Sequence, residues 1–234
     1  MQNSNTTAQF PDEVAHLEVI TSMLKEAQLE AEASVTQLDQ AYIDSRQYMA
    51  AYRGELDPHE MFQNELLLRQ TDERGAFAVE VRERVSKLQE SPYFARIDLR
   101  MESAAKPEAI YIGRFAFSHG NKLLISDWRS PIASMFYDHE VGPASYIAPM
   151  GPIEGDLTRK RQFKIKNGVI VYALESSANI QDDVLQQTLS HTSDEKMKSI
   201  IATIQKEQNL IIRSENTGTL IIQGVAGSGK TSIA

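Results

Sequence analysis

Residues 12–53 contain neither proline nor glycine, and this uninterrupted stretch constrains the fold more than any other feature of the chain. Two interleaved sets of positions recur in it every seven residues. One set is Leu17, Leu24, Ala31, Leu38, Ser45 and Tyr52, and the other is Thr21, Gln28, Val35, Tyr42 and Met49. This alternation of three and four residues is typical of a coiled-coil seam. With Asp12 as its N-cap, the predicted helix is about 60 Å long, at 1.5 Å per residue.

The segment from Gly54 to Pro58 predicts a break and a restart. Gly54 suits the position after a helix, Asp57 can cap the next helix with Pro58 as its first residue, and Glu60 can complete a capping box. The second helix is predicted over 58–90, where Ser91 and Pro92 end it. Its weaker seam is predicted at Leu67, Gln70, Arg74, Phe77, Val81, Arg84 or Val85, and Leu88. Two long helices joined by so short a turn must fold back on each other, so residues 12–92 are predicted to form an antiparallel coiled-coil hairpin, after a disordered tail over 1–11.

From residue 93 the hydrophobic period changes to two, which indicates strands. Strands are predicted at 94–101, 109–117, 122–128, 132–138, 143–148, 159–166 and 169–175, the last two joined by Asn167 and Gly168. They predict a compact antiparallel β domain over 93–178. Helices are predicted at 180–190 and 193–213.

The stretch from Gly224 to Thr231 matches the phosphate-binding loop pattern G-x-x-x-x-G-K-[ST]. Its members are Gly224, Val225, Ala226, Gly227, Ser228, Gly229, Lys230 and Thr231. Glycines let successive N–H groups point at phosphate oxygens, Lys230 would reach the β- and γ-phosphates of ATP, and the Thr231 hydroxyl would ligate Mg²⁺. An apolar run over 219–223 predicts the strand that precedes such a loop. Residues 179–234 are therefore predicted to begin a RecA-like α/β ATPase domain, which gives an α+β chain in all.

Only three residues follow Thr231, so neither a second carboxylate motif for Mg²⁺ nor a water-positioning residue is present. We expect the chain to be the front part of a larger ATP-driven protein. On its own it is expected to have no ATPase activity, with Lys230 and Thr231 acting catalytically only in the intact parent.

The net charge of −8 is concentrated in the first 92 residues, where 17 acidic residues face 8 basic ones. Such a segment should be repelled by nucleic-acid phosphates, so its partner is predicted to be a protein with a basic surface or channel. Glu55, Asp57 and Glu60 lie at the hairpin tip. Two interpretations stay open there: contact with a partner, or helix capping and solvation.

Three features that the sequence lacks bear on the cellular compartment of the protein. There is no cysteine, no signal-peptide pattern at the N-terminus and no apolar run long enough to cross a membrane. These features predict a cytoplasmic protein without a membrane partner.

Residues 159–166 carry five basic side chains and predict a strand with a solvated basic face, with a nucleic-acid or partner contact as the alternative. Trp128, beside Asp127 and Arg129, is interpreted as a buried ring next to an internal ion pair, with a partner site as the alternative.

Gln208 lies 16 residues before Gly224, on the helix that leads into the phosphate-loop strand. In superfamily 1 helicases a glutamine in this place reads the adenine edge, and its amide can both donate to and accept from the base. Four further segments carry a more particular resemblance: Tyr111–Phe115, Ile125–Ile132, Phe136–Tyr137 and Lys160–Phe163. With the hairpin, the β region and the phosphate loop, they make nearly the whole chain resemble the N-terminal region of the bacterial HelD family, which is related to the UvrD and Rep helicases.

The resemblance implies a function. Members of this family bind the RNA polymerase core, insert their coiled coil into its secondary channel and use ATP to release it from nucleic acid. It also implies DNA contacts through the helicase domains of the parent, and a monomeric fragment is expected. Two alternatives stay open: a DNA-repair helicase whose coiled coil is only architectural, and a polymerase-binding module that works without nucleotide.

Overall fold

A computed structural model of the chain describes residues 10–176 together with Ile221 and Gln223. The chain divides into two compact units. Met1–Pro92 with Ile165–Val171 is called the helical unit here, and Tyr93–Lys164 with Tyr172–Ala234 the sheet unit. The order of elements is two long helices followed by a mixed β-sheet, which confirms the α+β class. Within the described residues, no helix combines the length and the apolar character that crossing a membrane would take.

The helical unit consists mainly of α1 (Pro11–Ala51) and α2 (Pro58–Glu90). The two helices contact each other in antiparallel directions, since the Gln89 side chain near the end of α2 donates to the Leu24 carbonyl oxygen at 3.1 Å. The bounds of α2 agree with the prediction. At the start of α1 the prediction was wrong about the cap: Pro11 is the first helical residue, Phe10 precedes it without a side-chain cap, and Asp12 lies inside the first turn. Pro11 takes that place because a proline at the first position loses no intrahelical hydrogen bond.

The buried face of α1 follows the predicted seam. Leu17, Leu24, Ala31 and Val35 are buried, and the seam positions Gln28, Leu38, Tyr42, Ser45 and Met49 are half-buried. The positions between them over 29–51 are exposed. Tyr52 is the exception, because the helix has ended there and its ring is exposed. The prediction for this helix is therefore confirmed from Leu24 to Met49. Nearer the N-terminus it is wrong by one residue, because Ile20 is fully buried and the predicted Thr21 is half-buried.

The predicted seam of α2 is wrong in its first half by one residue. Leu67, Gln70, Arg74 and Phe77 are all exposed, as is Arg84. The less exposed positions are instead Met61, Asn64, Leu68, Thr71, Gly75 and Ala78, which continue into Val85 and Leu88. Counting back from buried Val85 in steps of three and four leads to this set. The sequence pattern favours Phe77 over its small neighbour Ala78 and does not distinguish Leu67 from Leu68.

The sheet unit contains strands β1 (Ala95–Met101), β2 (Glu108–Gly113), β3 (Phe117–His119), β4 (Lys122–Asp127) and β5 (Gly142–Ala148). Strands β6 (Gly151–Lys166) and β7 (Val169–Ser176) extend into both units. The strand order is β3-β4-β2-β1-β6-β5, and β7 also pairs with β6. Asn167 and Gly168 join these last two strands with positive φ angles of 51° and 71°, as their predicted turn requires.

Four features of the sheet differ from the prediction. The strand predicted at 109–117 is divided into β2 and β3, and β6 begins at Gly151 rather than at residue 159. The sheet is mixed rather than antiparallel, because β2 and β4 run parallel, with Ile112 opposite Ser126. The chain can pair them this way because β3 intervenes and takes the antiparallel place beside β4. The predicted strand at 132–138 is a short 3₁₀-helix, Pro131–Ala133, followed by α3 (Ser134–Asp138). Pro131 occupies the first helical position, and the Ala133 N–H bonds the Ser130 carbonyl oxygen at 3.0 Å, so the chain curls instead of extending.

The core of the sheet unit lies on one face of the sheet. It is formed by Ala95, Ile97, Leu99, Ile110, Ile112, Ala133, Met135, Ala144 and Leu157. Strand β6 bulges against β1, because Asp98 is opposite Arg159 and Leu99 is opposite Leu157. The extra residue is Thr158, whose hydroxyl donates to the Asp98 carbonyl oxygen at 3.1 Å. Because of this bulge, Leu157 and Lys160 both lie on the core face although they are three residues apart.

Candidate functional site

The tip of the hairpin is a tight turn between α1 and α2. Tyr52 closes α1, and its carbonyl oxygen accepts hydrogen bonds from the N–H groups of Glu55 at 2.9 Å and Leu56 at 3.1 Å. Every residue from 53 to 60 is exposed except Leu56, which is half-buried. The turn therefore satisfies two backbone donors at the Tyr52 carbonyl oxygen and presents its polar side chains to solvent.

Asp57 and Glu60 are engaged in capping α2. The Asp57 Oδ1 atom accepts from the N–H groups of His59 at 2.7 Å and Glu60 at 2.8 Å. Glu60 Oε2 accepts from the Asp57 N–H at 3.3 Å, which completes the capping box that the sequence predicts. Both carboxylates satisfy backbone donors that helix formation would leave without partners.

Glu55 differs from these two residues. In the part of the chain that the structure describes, no hydrogen bond or ion pair joins its carboxylate to another residue. Its charge is available to a partner without loss of a cap. The structure thus places all three predicted tip residues within one turn, with Asp57 and Glu60 bound locally and Glu55 pointing its charge only at solvent.

The Asp127–Arg129 pair lies at the end of β4. The guanidinium of Arg129 donates from Nε and Nη2 to the Asp127 carboxylate at 2.9 and 2.8 Å, and its backbone N–H donates to the same group at 2.8 Å. These bonds and the negative charge of Asp127 raise the pKa of Arg129. The pair exists as predicted, but it lies at the surface, since 61% of the Arg129 side chain is exposed. Trp128 is half-buried against the core of the sheet unit.

The basic strand over 159–166 is not a solvated face throughout, which corrects the preferred interpretation. Arg159 pairs with Asp98 at 3.2 Å, and Arg161 is buried and pairs with Glu175 at 2.6 Å. These side chains hold sheet strands together, and only Lys164 and Lys166 are exposed. Contact with nucleic acid through Arg159 or Arg161 would require these ion pairs to break.

Lys160 has an unusual environment on the other face of the same strand. Its amino group donates to the His139 carbonyl oxygen at 2.9 Å and lies 5.2 Å from the centre of the Phe136 ring. Glu140 contributes a carboxylate oxygen at 3.8 Å. Burial lowers the pKa of Lys160, and the nearby Glu140 opposes this change only in part. The side chain fastens the segment after α3 onto the sheet.

The predicted nucleotide site lies outside the described residues. This holds for Gln208, for the loop from Gly224 to Thr231 with Lys230, and for the predicted helices over 180–213. Of the strand predicted over 219–223, only Ile221 and Gln223 are described, and neither belongs to a helix or strand. Among the described residues, no group of three or more His, Cys, Asp or Glu side chains could hold a metal ion.

Sequence reasoning missed one feature of the hairpin. Phe62, Leu66 and Phe77 lie on α2 with large apolar side chains directed at solvent. Their spacing gave a signal, since residues 62, 66 and 77 share one helix face, but the predicted seam included Phe77 and left Phe62 and Leu66 without an assignment.

Comparison with known proteins identifies the family. No curated protein matches the chain. The family model described as the DNA helicase IV HelD N-terminal domain matches residues 10–196, which is most of the chain and includes both helices of the hairpin and all seven strands. The chain therefore belongs to the HelD N-terminal domain family.

Proposed function

We propose that this chain is the polymerase-engaging arm of a cytoplasmic, ATP-dependent HelD-type factor. The two long helices would act as an antiparallel coiled-coil probe that enters a basic channel of the RNA polymerase core. The intact factor would then use ATP to release the polymerase from nucleic acid. Family membership supports a helicase-related factor as the intact protein. Binding to RNA polymerase and its release are what we propose in addition.

The observation that carries the proposal is the concentration of negative charge on the hairpin. The first 92 residues carry 17 acidic and 8 basic residues, and the turn between α1 and α2 exposes Glu55 beside the two capping carboxylates. A narrow acidic hairpin with an acidic tip fits a channel lined by basic side chains, because complementary charge steers association and fixes its direction.

The nucleotide would bind at the loop predicted from the sequence. Gly224–Thr231 would supply the N–H groups for the phosphates, with Lys230 beside the β- and γ-phosphates, Thr231 on Mg²⁺ and Gln208 on the adenine. ATP and Mg²⁺ would supply the energy for release. The residues of the described hairpin would bind the polymerase without nucleotide.

The test uses the intact factor and purified RNA polymerase core. The variant Glu55→Gln, Asp57→Ser and Glu60→Gln removes three charges but keeps oxygen acceptors for the cap, since serine also caps helices. We expect about tenfold weaker binding at low salt and a shallower dependence on salt. A matched control, Glu26→Gln, Glu30→Gln and Asp39→Asn, removes three exposed charges from the body of α1 and should have a smaller effect.

Three results would contradict the proposal or part of it. Absence of polymerase binding by the unmodified factor, together with DNA unwinding, would favour a repair helicase with an architectural hairpin. Equal losses in the tip variant and its control would assign the effect to overall charge rather than to the tip. Binding and release that continue without ATP would favour the nucleotide-independent module.

A further inference from the structure

The outer face of α2 carries a row of exposed apolar side chains that α1 cannot cover. Phe62, Leu66 and Phe77 are 64%, 47% and 62% exposed, and they are called the outer stripe here. They lie opposite Leu68, Thr71 and the other seam positions of the helix. Phe77 lies 15 residues after Phe62, so the stripe is about 22 Å long along the helix.

We propose that the outer stripe is a docking surface for a basic protein, and that it supplies most of the affinity of the hairpin for its partner. The inference rests on the proposed function, since the partner used to test it is the polymerase core. In this proposal the side of α2 contributes most of the binding free energy, and the charged tip orients the hairpin relative to its partner. Large aromatic anchors are the usual source of affinity, whereas exposed charges mainly set the rate of association and its salt dependence.

The charges beside the stripe favour a basic occupant. Glu65 and Asp72 are exposed along one edge, and Glu73 lies between Leu66 and Phe77. Two basic residues offset these three carboxylates in part, since Arg69 lies on the same face and Arg74 along the other edge. A surface with apolar anchors and an excess of acidic side chains matches a partner with apolar pockets and basic rims. The same charges would be repelled by nucleic acid and by an anionic lipid surface.

A second copy of the chain fits the stripe poorly. In an antiparallel pair that matches Phe62 with Phe77, the centre falls between residues 69 and 70, so Arg69 approaches Arg69 of the other copy. In a parallel pair each residue faces its own counterpart, which opposes Arg69 to Arg69 and Glu73 to Glu73. Like charges brought together in this way oppose association. The structure therefore favours a different protein as the occupant.

The experiment compares two triple variants of the intact factor. The stripe variant carries Phe62→Gln, Leu66→Gln and Phe77→Gln, and glutamine preserves helix propensity. The control carries Val19→Gln, Leu29→Gln and Ile43→Gln, which are equally exposed apolar positions on α1. We expect the stripe variant to bind polymerase core about 30-fold more weakly, with its salt dependence unchanged, and the control to bind as the unmodified factor does.

The binding of the two variants to polymerase core decides whether the outer stripe is the docking surface. Equal helix content by circular dichroism is expected for both variants, because the replaced side chains are exposed. Unchanged binding by the stripe variant, or an equal loss in the control, would overturn the outer stripe while leaving polymerase binding intact. Failure of the unmodified factor to bind would overturn the proposed function and the stripe together. A dimer in sedimentation that the stripe variant abolishes would make a second copy the occupant and overturn the inference.

Discussion

Replacing Asp98 by alanine should destabilise the sheet unit by about 3–4 kcal/mol. The Asp98 carboxylate is almost fully buried and accepts three hydrogen bonds from two guanidinium groups. Arg96 donates from Nε at 2.6 Å and from Nη2 at 3.0 Å, and Arg159 donates from Nη1 at 3.2 Å. The loss is large because the change removes the acceptor while the buried Arg96 charge stays in place.

The two arginines should contribute unequally. The Arg96 side chain is 12% exposed and makes the bidentate contact, so its coupling to Asp98 should be about 1.5–3 kcal/mol. The Arg159 side chain is 35% exposed and also pairs with Glu175 at 3.5 Å. Solvent screens its one hydrogen bond to Asp98, so its coupling to Asp98 should stay below about 1 kcal/mol. We therefore expect the coupling of Asp98 to Arg96 to be larger than its coupling to Arg159.

Double-mutant cycles measure both couplings. Asp98→Ala is combined with Arg96→Ala and, separately, with Arg159→Ala, and the free energy of unfolding is obtained from urea denaturation. Trp128 is the single tryptophan and packs against the core of the sheet unit, so its fluorescence reports on this unit. Couplings of equal size, or a loss below about 1 kcal/mol for Asp98→Ala, would refute the reasoning from burial and geometry.

Three further predictions use changes elsewhere in the described residues. Leu68→Ala should lower the stability of the hairpin by about 1–2 kcal/mol and Leu67→Ala by less than about 0.5 kcal/mol, because only Leu68 lies in the seam; equal losses in thermal denaturation would contradict the register. Asp57→Ala should cost about 1 kcal/mol and Asp57→Ser much less, since serine keeps the cap; thermal melts followed at 222 nm separate the two. Burial lowers the pKa of Lys160, so between that lowered value and 10.5 the unfolded chain holds more protons and rising pH stabilises the fold. Lys160→Met should remove this rise in melting temperature, while Lys164→Met, an exposed lysine of the same strand, should retain it.

Local patterns predicted the helices because each end has its own chemical signal. Pro58 with the capping box of Asp57 and Glu60 fixed the start of α2, and Ser91 with Pro92 fixed its end. The seam of α1 was predictable from Leu24 onward, because its exposed apolar residues, such as Leu29 and Ile43, do not form an unbroken seven-residue repeat. In α2 two faces compete, and sequence alone cannot rank them: Leu67 and Leu68 are neighbours, and the partner helix decides which one is buried.

The pairing of the sheet was less accessible from the sequence. Alternation locates strands but carries no information about their neighbours, so the parallel β2–β4 pair could not be predicted from it. The short helix after Pro131 was missed because Ile132, Phe136 and Tyr137 are residue types that favour strands. The basic strand was misjudged for a similar reason, since the acceptors of Arg159 and Arg161 come from distant positions, Asp98 and Glu175.

The tip residues were located correctly because capping chemistry is local. The sequence did not show that the three carboxylates differ. The hydrogen bonds of the structure show that Asp57 and Glu60 cap α2, whereas the Glu55 carboxylate faces only solvent. The outer stripe could be found from spacing alone once the seam was known, because residues 62, 66 and 77 then have no partner helix to face.

The bulge at Thr158 makes this molecule insensitive to chain length at one point. Leu157 and Arg159 pair with the consecutive residues Leu99 and Asp98, so removing Thr158 would turn β6 into a regular strand and leave these pairs and both faces of the strand unchanged. The hydrogen bond from the Thr158 hydroxyl to the Asp98 carbonyl oxygen would be lost. Removing Gln162 would instead exchange the faces of the residues after it relative to those before it, and would direct the buried Phe163 and Ile165 to the opposite side of the sheet. A single-codon deletion at 158 should therefore be tolerated far better than one at 162.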